Sequence, residues 1–217
     1  MSFPEKDQGL NLLENAYELS NPTENSQYYD RLATDYDEAF AQGLGYVSPE
    51  SIAEVFLSQS TEADYPIADI GCGTGLVAEA LRIPVQCVDG LDISQKMLDA
   101  SAAKKLYRSL YAVDLTGPLK HLPNDYGAVV SAGTFTHGHL GPEALANLLA
   151  LARTGALFVI GVNVQHFKQL KFDQLLDGLE SRNEISRVMS TDVGIYSKSG
   201  HTHSKDQARI LSYRKLG

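Results

Sequence analysis

Three glycines and three carboxylates fall at positions where they could hold one ligand. Asp69-Ile-Gly-Cys-Gly-Thr-Gly75 places Gly71, Gly73 and Gly75 at alternate positions directly after a short apolar run. Glycine takes positive φ freely and lets a ligand lie on the backbone. Asp69 closes the run and could accept from a ligand ammonium or orient the loop. Asp92, in Gly90-Leu91-Asp92-Ile93-Ser94, follows about 20 residues later, where an acid ending the next strand can chelate both hydroxyls of a ribose. The plain alternative is a helix cap, which Ser94 could supply equally well. Asp114-Leu115 closes a third apolar run; an acid there could accept from an adenine amino group while a neighbouring N–H reads a ring nitrogen. Taken alone it is a turn aspartate before Thr116-Gly117-Pro118. In series, the three acids make an adenosine site.

The spacing excludes two common phosphate cradles. A dinucleotide turn of the G-x-G-x-x-G kind needs glycine at position 76, where Leu76 stands, and no Gly-Lys-Ser/Thr run follows. A nicotinamide-dependent oxidoreductase is therefore disfavoured. His137-Gly-His139, after the fourth strand, offers two groups that titrate near neutrality and could take a proton; the alternative is a pair that shapes its loop through backbone hydrogen bonds. Two histidines without a third and fourth ligand do not make a metal site. His201-Thr-His203 reads as a solvated loop.

These residues need strand ends and loops to carry them. Helical apolar spacing predicts helices over 10–19, 26–40 and 48–59, with Asn21-Pro22 ending the first and Ser48 capping the third. From 67 the period shortens. Strands are expected at 67–70, 85–91, 111–113, 127–132 and 156–162, with helices at 75–81, 94–105, 142–153 and 165–179 between or after them. Two further strands, 183–189 and 207–213, flank a polar loop at 197–204. This β-α-β-α alternation specifies an open, doubly wound, Rossmann-like α/β sheet with a helical N-terminal extension. The expected organisation is one domain over 1–217, with 1–60 as a helical cap or lid and 61–217 as the core.

Composition narrows the partners. The 217 residues are 43% hydrophobic and carry a formal net charge of -9, with Lys and Arg scattered. A phosphate backbone is a poor match for that charge, so the expected partner is a small molecule rather than nucleic acid. Cys72 and Cys87 cannot build a disulfide framework and suit a reducing compartment. The first residues lack a signal-peptide pattern, and no apolar run nears the ~18 residues that span a bilayer. The expectation is a cytoplasmic protein with no membrane partner.

At this point the motifs resemble the class I S-adenosylmethionine-dependent methyltransferases. The 69–75 turn is similar to their first motif, Gly90 to Ser94 with Lys96-Met97-Leu98 to their second, and Asp114-Leu115 to their adenine-reading position. A narrower likeness, carried by Tyr29-Asp-Arg-Leu-Ala-Thr-Asp-Tyr36-Asp, Gly45-Tyr-Val-Ser-Pro and 132–143, is to the Williams–Beuren-region methyltransferase-like proteins and their bacterial relatives. The likeness covers roughly 28–162. It implies seven mostly parallel strands in the order 3-2-1-4-5-7-6 and S-adenosyl-L-methionine as cofactor. The implied contacts are Tyr29, Tyr36, Asp69, Gly71, Cys72, Gly73, Gly75, Asp92, Ile93, Met97, Asp114, Leu115, Ala132 and Gly133, with no metal. Helical spacing would put Tyr29 and Tyr36 on one face as a lid, although Tyr36 would serve equally as packing. His137 and His139 would face the methyl group. No Asn/Asp-Pro-Pro-Tyr run follows the fourth strand, so a base or glutamine amino group is not the implied acceptor. The expected activity is methyl transfer to a small molecule through O, N or S; the alternative is a non-catalytic module that binds the same cofactor. The part from 165 onward resembles nothing.

Overall fold

The structure is a computed structural model that describes residues 5–19 and 21–217. Its strands are β1 (Ile67–Ile70), β2 (Val88–Asp92), β3 (Ser109–Ala112), β4 (Tyr126–Phe135), β5 (Ala152–Asn163), β6 (Met189–Gly194) and β7 (Gln207–Arg214). Helices α1 (Glu5–Tyr17) and α2 (Pro22–Leu32) and a π-helical segment, Tyr36–Gln42, lead into α3 (Ser48–Gln59). The rest are α4 (Leu76–Leu81), α5 (Gln95–Lys104), α6 (Pro142–Asn147), α7 (Val164–Gln169) and α8 (Phe172–Ser181). One sheet runs β3-β2-β1-β4-β5-β7-β6, the order that the resemblance implies. Strands β1 to β5 pair in parallel, and β7 lies antiparallel to both β5 and β6.

Parallel strands covered on both faces need apolar side chains on both, which is why β1 reads as an unbroken run and is buried throughout. On one face Val129, Phe158 and Ile160 pack with Leu145, Phe172 and Leu176. On the other, Ile67, Val130 and Val159 pack with Phe56 of α3 and Leu81 of α4. In β2 the buried Asp89 carboxylate accepts twice from Arg108 and once from the Tyr126 hydroxyl, so it is compensated.

Several boundaries differ from the periodicity, each for a local reason. Asn21-Pro22 starts a helix: the Asn21 side chain accepts from the Glu24 N–H and Pro22 takes the first turn. That helix ends at Leu32, so Tyr29 and Tyr36 belong to separate elements, yet their rings meet with centroids 6.3 Å apart. Ser48 is the first residue of α3 and does not cap it; Val47 flanks the helix without a side-chain bond. After Pro84 the chain makes a 3-10 turn, Val85–Cys87, which delays β2 to Val88. The helix expected over 142–153 stops at Asn147 and tightens into a 3-10 turn, Leu148–Leu151, ahead of an early β5. Lys171, at φ 56, splits the helix expected over 165–179, and the break lets Phe167 and Phe172 stack at 5.6 Å. Residues 183–188 are not a strand. Asn183 turns left-handed after α8, Glu180 captures the Val188 N–H, and β6 begins only at Met189.

Candidate functional site

The glycine turn is held from below by the next strand. The Gly71 and Cys72 N–H groups both donate to the Leu91 carbonyl, at 2.8 and 3.1 Å. A Cβ on Gly71 would collide with Thr134, whereas one on Gly73 would meet nothing within 4 Å. Gly71 therefore serves packing, and Gly73, at φ 53, leaves open space above the loop. Asp92 closes the far side, one oxygen accepting from the Gly73 N–H and the other from the Ser94 N–H, each at 2.8 Å. Ser94 also caps α5 through the Met97 N–H. The two readings of Gly90 to Ser94 thus hold together: the serine is the cap, and the aspartate ties two loops. Each Asp92 oxygen keeps a further lone pair for a ligand. Burial raises the Asp92 pKa above the usual carboxylate value, an effect the Ser94, Gly73 and Ile93 N–H groups oppose.

Over this corner lies a cavity of about 350 Å³. Gly71, Gly73 and Asp92 form one side, and Ile93, Met97, Asp114 and Leu115 another. Ala132 and Gly133 come from β4, Tyr29 and Tyr36 close over from the N-terminal helices, and His139 lies at the far end. These twelve are residues singled out from the sequence. Four others are not at the cavity. Asp69 is fully buried beneath the loop, accepting from the Tyr107 hydroxyl at 2.6 Å, and burial pushes it up to about 7 despite that bond. Cys72 is buried next to Gly90. Gly75 opens α4 against Leu106 and Tyr107. His137 packs its ring on Tyr17 and His166, centroids 5.3 and 5.5 Å away. Burial lowers its pKa.

The sequence pattern missed Asn25, Thr134 and Gly138 at the same cavity. Asn25 donates to the Asn21 and Gly138 carbonyls and keeps a buried Oδ1 without a partner. No spacing rule announces a contact across 113 residues. Two acids fix the roof. Asp30 accepts from the Ser94 hydroxyl at 2.6 Å and the Lys96 N–H at 3.1 Å. Asp37 accepts from the Thr74 hydroxyl at 2.5 Å and pairs with Lys104 at 2.6 Å. Each acid directly follows one of the two tyrosines that cover the cavity, so Tyr29 and Tyr36 are anchored to the loops beneath them.

A second, smaller chamber of about 60 Å³ shares Tyr29, Tyr36, Gly133 and His139 with the first. At this wall His139 Nδ1 lies 2.8 Å from the His137 carbonyl, which can only accept, so Nδ1 carries the proton. Nε2 is then the acceptor for the Tyr29 hydroxyl at 3.0 Å. Burial holds the His139 pKa below the ordinary histidine value, so the ring is neutral at pH 7. The loop read as solvated is partly packed: His203 bonds Asp206 at 2.9 Å and meets Tyr17 edge-on. Among the described residues no three His, Cys, Asp or Glu side chains gather as a metal site, and no helix is long and apolar enough to cross a membrane.

Residues 67–156 match a methyltransferase domain family. The chain is 31% identical over 137 residues to methyltransferase-like protein 27 of Homo sapiens, a match covering 61% of this chain and 56% of that protein. It thus spans little more than half of that relative's length. Among solved structures, the [4+2]-cyclase SpnF superposes with a TM-score of 0.64 at 16% identity, covering 92% of this chain and 98% of that one. A phosphoethanolamine N-methyltransferase of Haemonchus contortus, solved with phosphomonomethylethanolamine and S-adenosylhomocysteine, gives 0.61 at 13% identity, covering 90% and 59%. At these identities the structures share the fold.

Proposed function

We propose that this chain is a class I S-adenosylmethionine-dependent methyltransferase and passes a methyl group to a small-molecule acceptor held beside Tyr29 and His139. The observation that carries the reading is the common wall. A large cavity with adenosine-type contacts meets a small chamber at a hydroxyl and a neutral imidazole.

The residues fit the cofactor. Asp92 has lone pairs left for a ribose diol. Asp114 commits Oδ1 to the Thr116 N–H and hydroxyl, so Oδ2 is the atom for an amino group. Ile93, Met97 and Leu115 offer apolar faces for a purine, and the unpaired Asn25 oxygen is an acceptor for a donor on the ligand. Asp69, which does not reach the cavity, supports the loop from beneath. When bound, S-adenosylmethionine supplies an electrophilic methyl on a sulfonium and leaves as S-adenosylhomocysteine.

The chain's own contributions are alignment and a proton route. Fixing two reactants in register accounts for up to ~7–11 kcal/mol in well-oriented models. An acceptor proton passes to the Tyr29 oxygen as the Tyr29 proton moves to His139 Nε2, and the His137 carbonyl steadies the opposite N–H. Such general-base help gives ~10²–10⁴-fold. His137 thus acts through its carbonyl and its ring takes no proton. The acidic balance favours a small acceptor over nucleic acid, and the two free cysteines suit the cytoplasm. We read 1–217 as one domain, with 1–60 capping a core of 61–217.

The test is transfer of a tritiated methyl from S-adenosylmethionine to a library of small acceptors. Acceptor-dependent release of S-adenosylhomocysteine is expected. A protein that binds S-adenosylhomocysteine yet turns over with no acceptor would be a binding module.

A further inference from the structure

We propose that the smaller chamber is the acceptor subsite and admits only an uncharged group of about four to six heavy atoms, bearing a hydroxyl or thiol. The position of the chamber rests on the methyl-transfer reading; the class of group it takes is read from its walls.

Size sets the first limit. A water-sized sphere needs roughly 10–15 Å³ of such volume, so about 60 Å³ holds the reacting end of an acceptor and little more. Charge sets the second. Among the described residues no Asp, Glu, Lys or Arg lines the chamber. Its polar groups are uncharged: tyrosine, serine and threonine hydroxyls, the amide of Asn163 and the imidazole of His139, which burial keeps neutral. The nearby Asp206 is engaged with His203 and Tyr17. A carboxylate, phosphate or ammonium entering here would shed its water and find no counter-charge, a loss of more than about 100-fold in affinity against an uncharged analogue. An alkylamine, protonated at neutral pH, is excluded on the same ground. An uncharged O–H or S–H keeps its hydrogen bond by donating to the Tyr29 oxygen, the entrance to the proton route.

The experiment uses the protein loaded with S-adenosylhomocysteine, loading being checked by calorimetry. Three probes of nearly equal size, 1-propanol, propionate and propylammonium, are titrated by ligand-observed NMR. Propanol is expected to bind, with both ions at least about 100-fold weaker. Asn163→Asp keeps the oxygen that accepts from the Gln165 and His166 N–H groups, so the start of α7 survives. It adds one carboxylate to the chamber, and propylammonium should gain at least about 10-fold while propanol loses. Val193→Phe, filling the chamber, should abolish the propanol signal. Equal or tighter binding of either ion to the unaltered protein overturns the proposal. So does failure of propanol to bind, or propanol binding that Val193→Phe leaves intact. Failure of S-adenosylhomocysteine itself would instead remove the methyl-transfer reading on which the position depends.

Discussion

The two cavities share a wall but are held by different means. The larger rests on backbone: glycines at positive φ, and carboxylates of Asp92, Asp30 and Asp37 that accept from N–H and hydroxyl groups of the loops. The smaller is enclosed by side chains. Tyr36 stacks on Phe40 at 4.9 Å, Phe40 meets Tyr46 edge-on, and Tyr46 tilts against Tyr196 across the molecule. One site is therefore sensitive to backbone conformation and charge, the other to shape and to one proton-accepting pair. Substitutions should separate cofactor affinity from turnover according to the side on which they fall.

The largest effect is expected at the wall. His139→Gln should lower turnover by ~10²–10⁴-fold and leave S-adenosylhomocysteine affinity nearly unchanged. In the proposed route the neutral ring takes the proton, and burial lowers its pKa. Activity of the unaltered protein should thus fall as pH drops below the ordinary histidine range, and the variant should lose that acid limb. Equal losses in affinity and turnover would show that the two sides are not separable. Next comes Gly73→Val. A β-branched side chain tolerates φ 53 poorly and enters the space above the loop. Calorimetry should show affinity falling by about 100-fold or more, with circular dichroism unchanged. Retained affinity would take the turn out of the site.

Asp92→Ala should weaken S-adenosylhomocysteine by about 1–3 kcal/mol, the loss of charge-assisted hydrogen bonds, read in the same titration. The smallest effect on binding belongs to Asp69→Asn, which sharpens the contrast within one loop. Folded Asp69 titrates at about 7, against roughly 3.9 unfolded. Between those values the folded state holds the extra proton, so stability falls as pH rises through the window. Asparagine cannot ionise. The variant's thermal midpoint should lose that downward slope and exceed the unaltered protein's above pH 7, with affinity unchanged. A fall in affinity like that of Asp92→Ala would place Asp69 at the ligand after all.

The same contrast explains what could be read from the chain. Gly71, Gly73, Asp92 and Asp114 lie on consecutive strand ends, and parallel topology brings such ends to one edge. Local spacing therefore exposes the larger cavity. Asp69 and Gly75 share that spacing, but whether a residue lies on or under a loop depends on Tyr107, 38 positions away. The smaller chamber joins Tyr17, Phe40, Asn163 and Tyr196, from three elements and a loop with no common period. Apolar spacing also missed two element boundaries at left-handed residues, carrying a helix through Lys171 and starting a strand at Asn183. No glycine marks either turn.

The measurement that bears most directly on the central claim is parallel calorimetric titration with S-adenosylmethionine, S-adenosylhomocysteine and NAD. The expected result is binding of the two sulfur ligands on the order of micromolar, with no heat from NAD. Binding of NAD alone, or of none of the three, would contradict the assignment of the glycine turn and Asp92 to a sulfonium nucleoside.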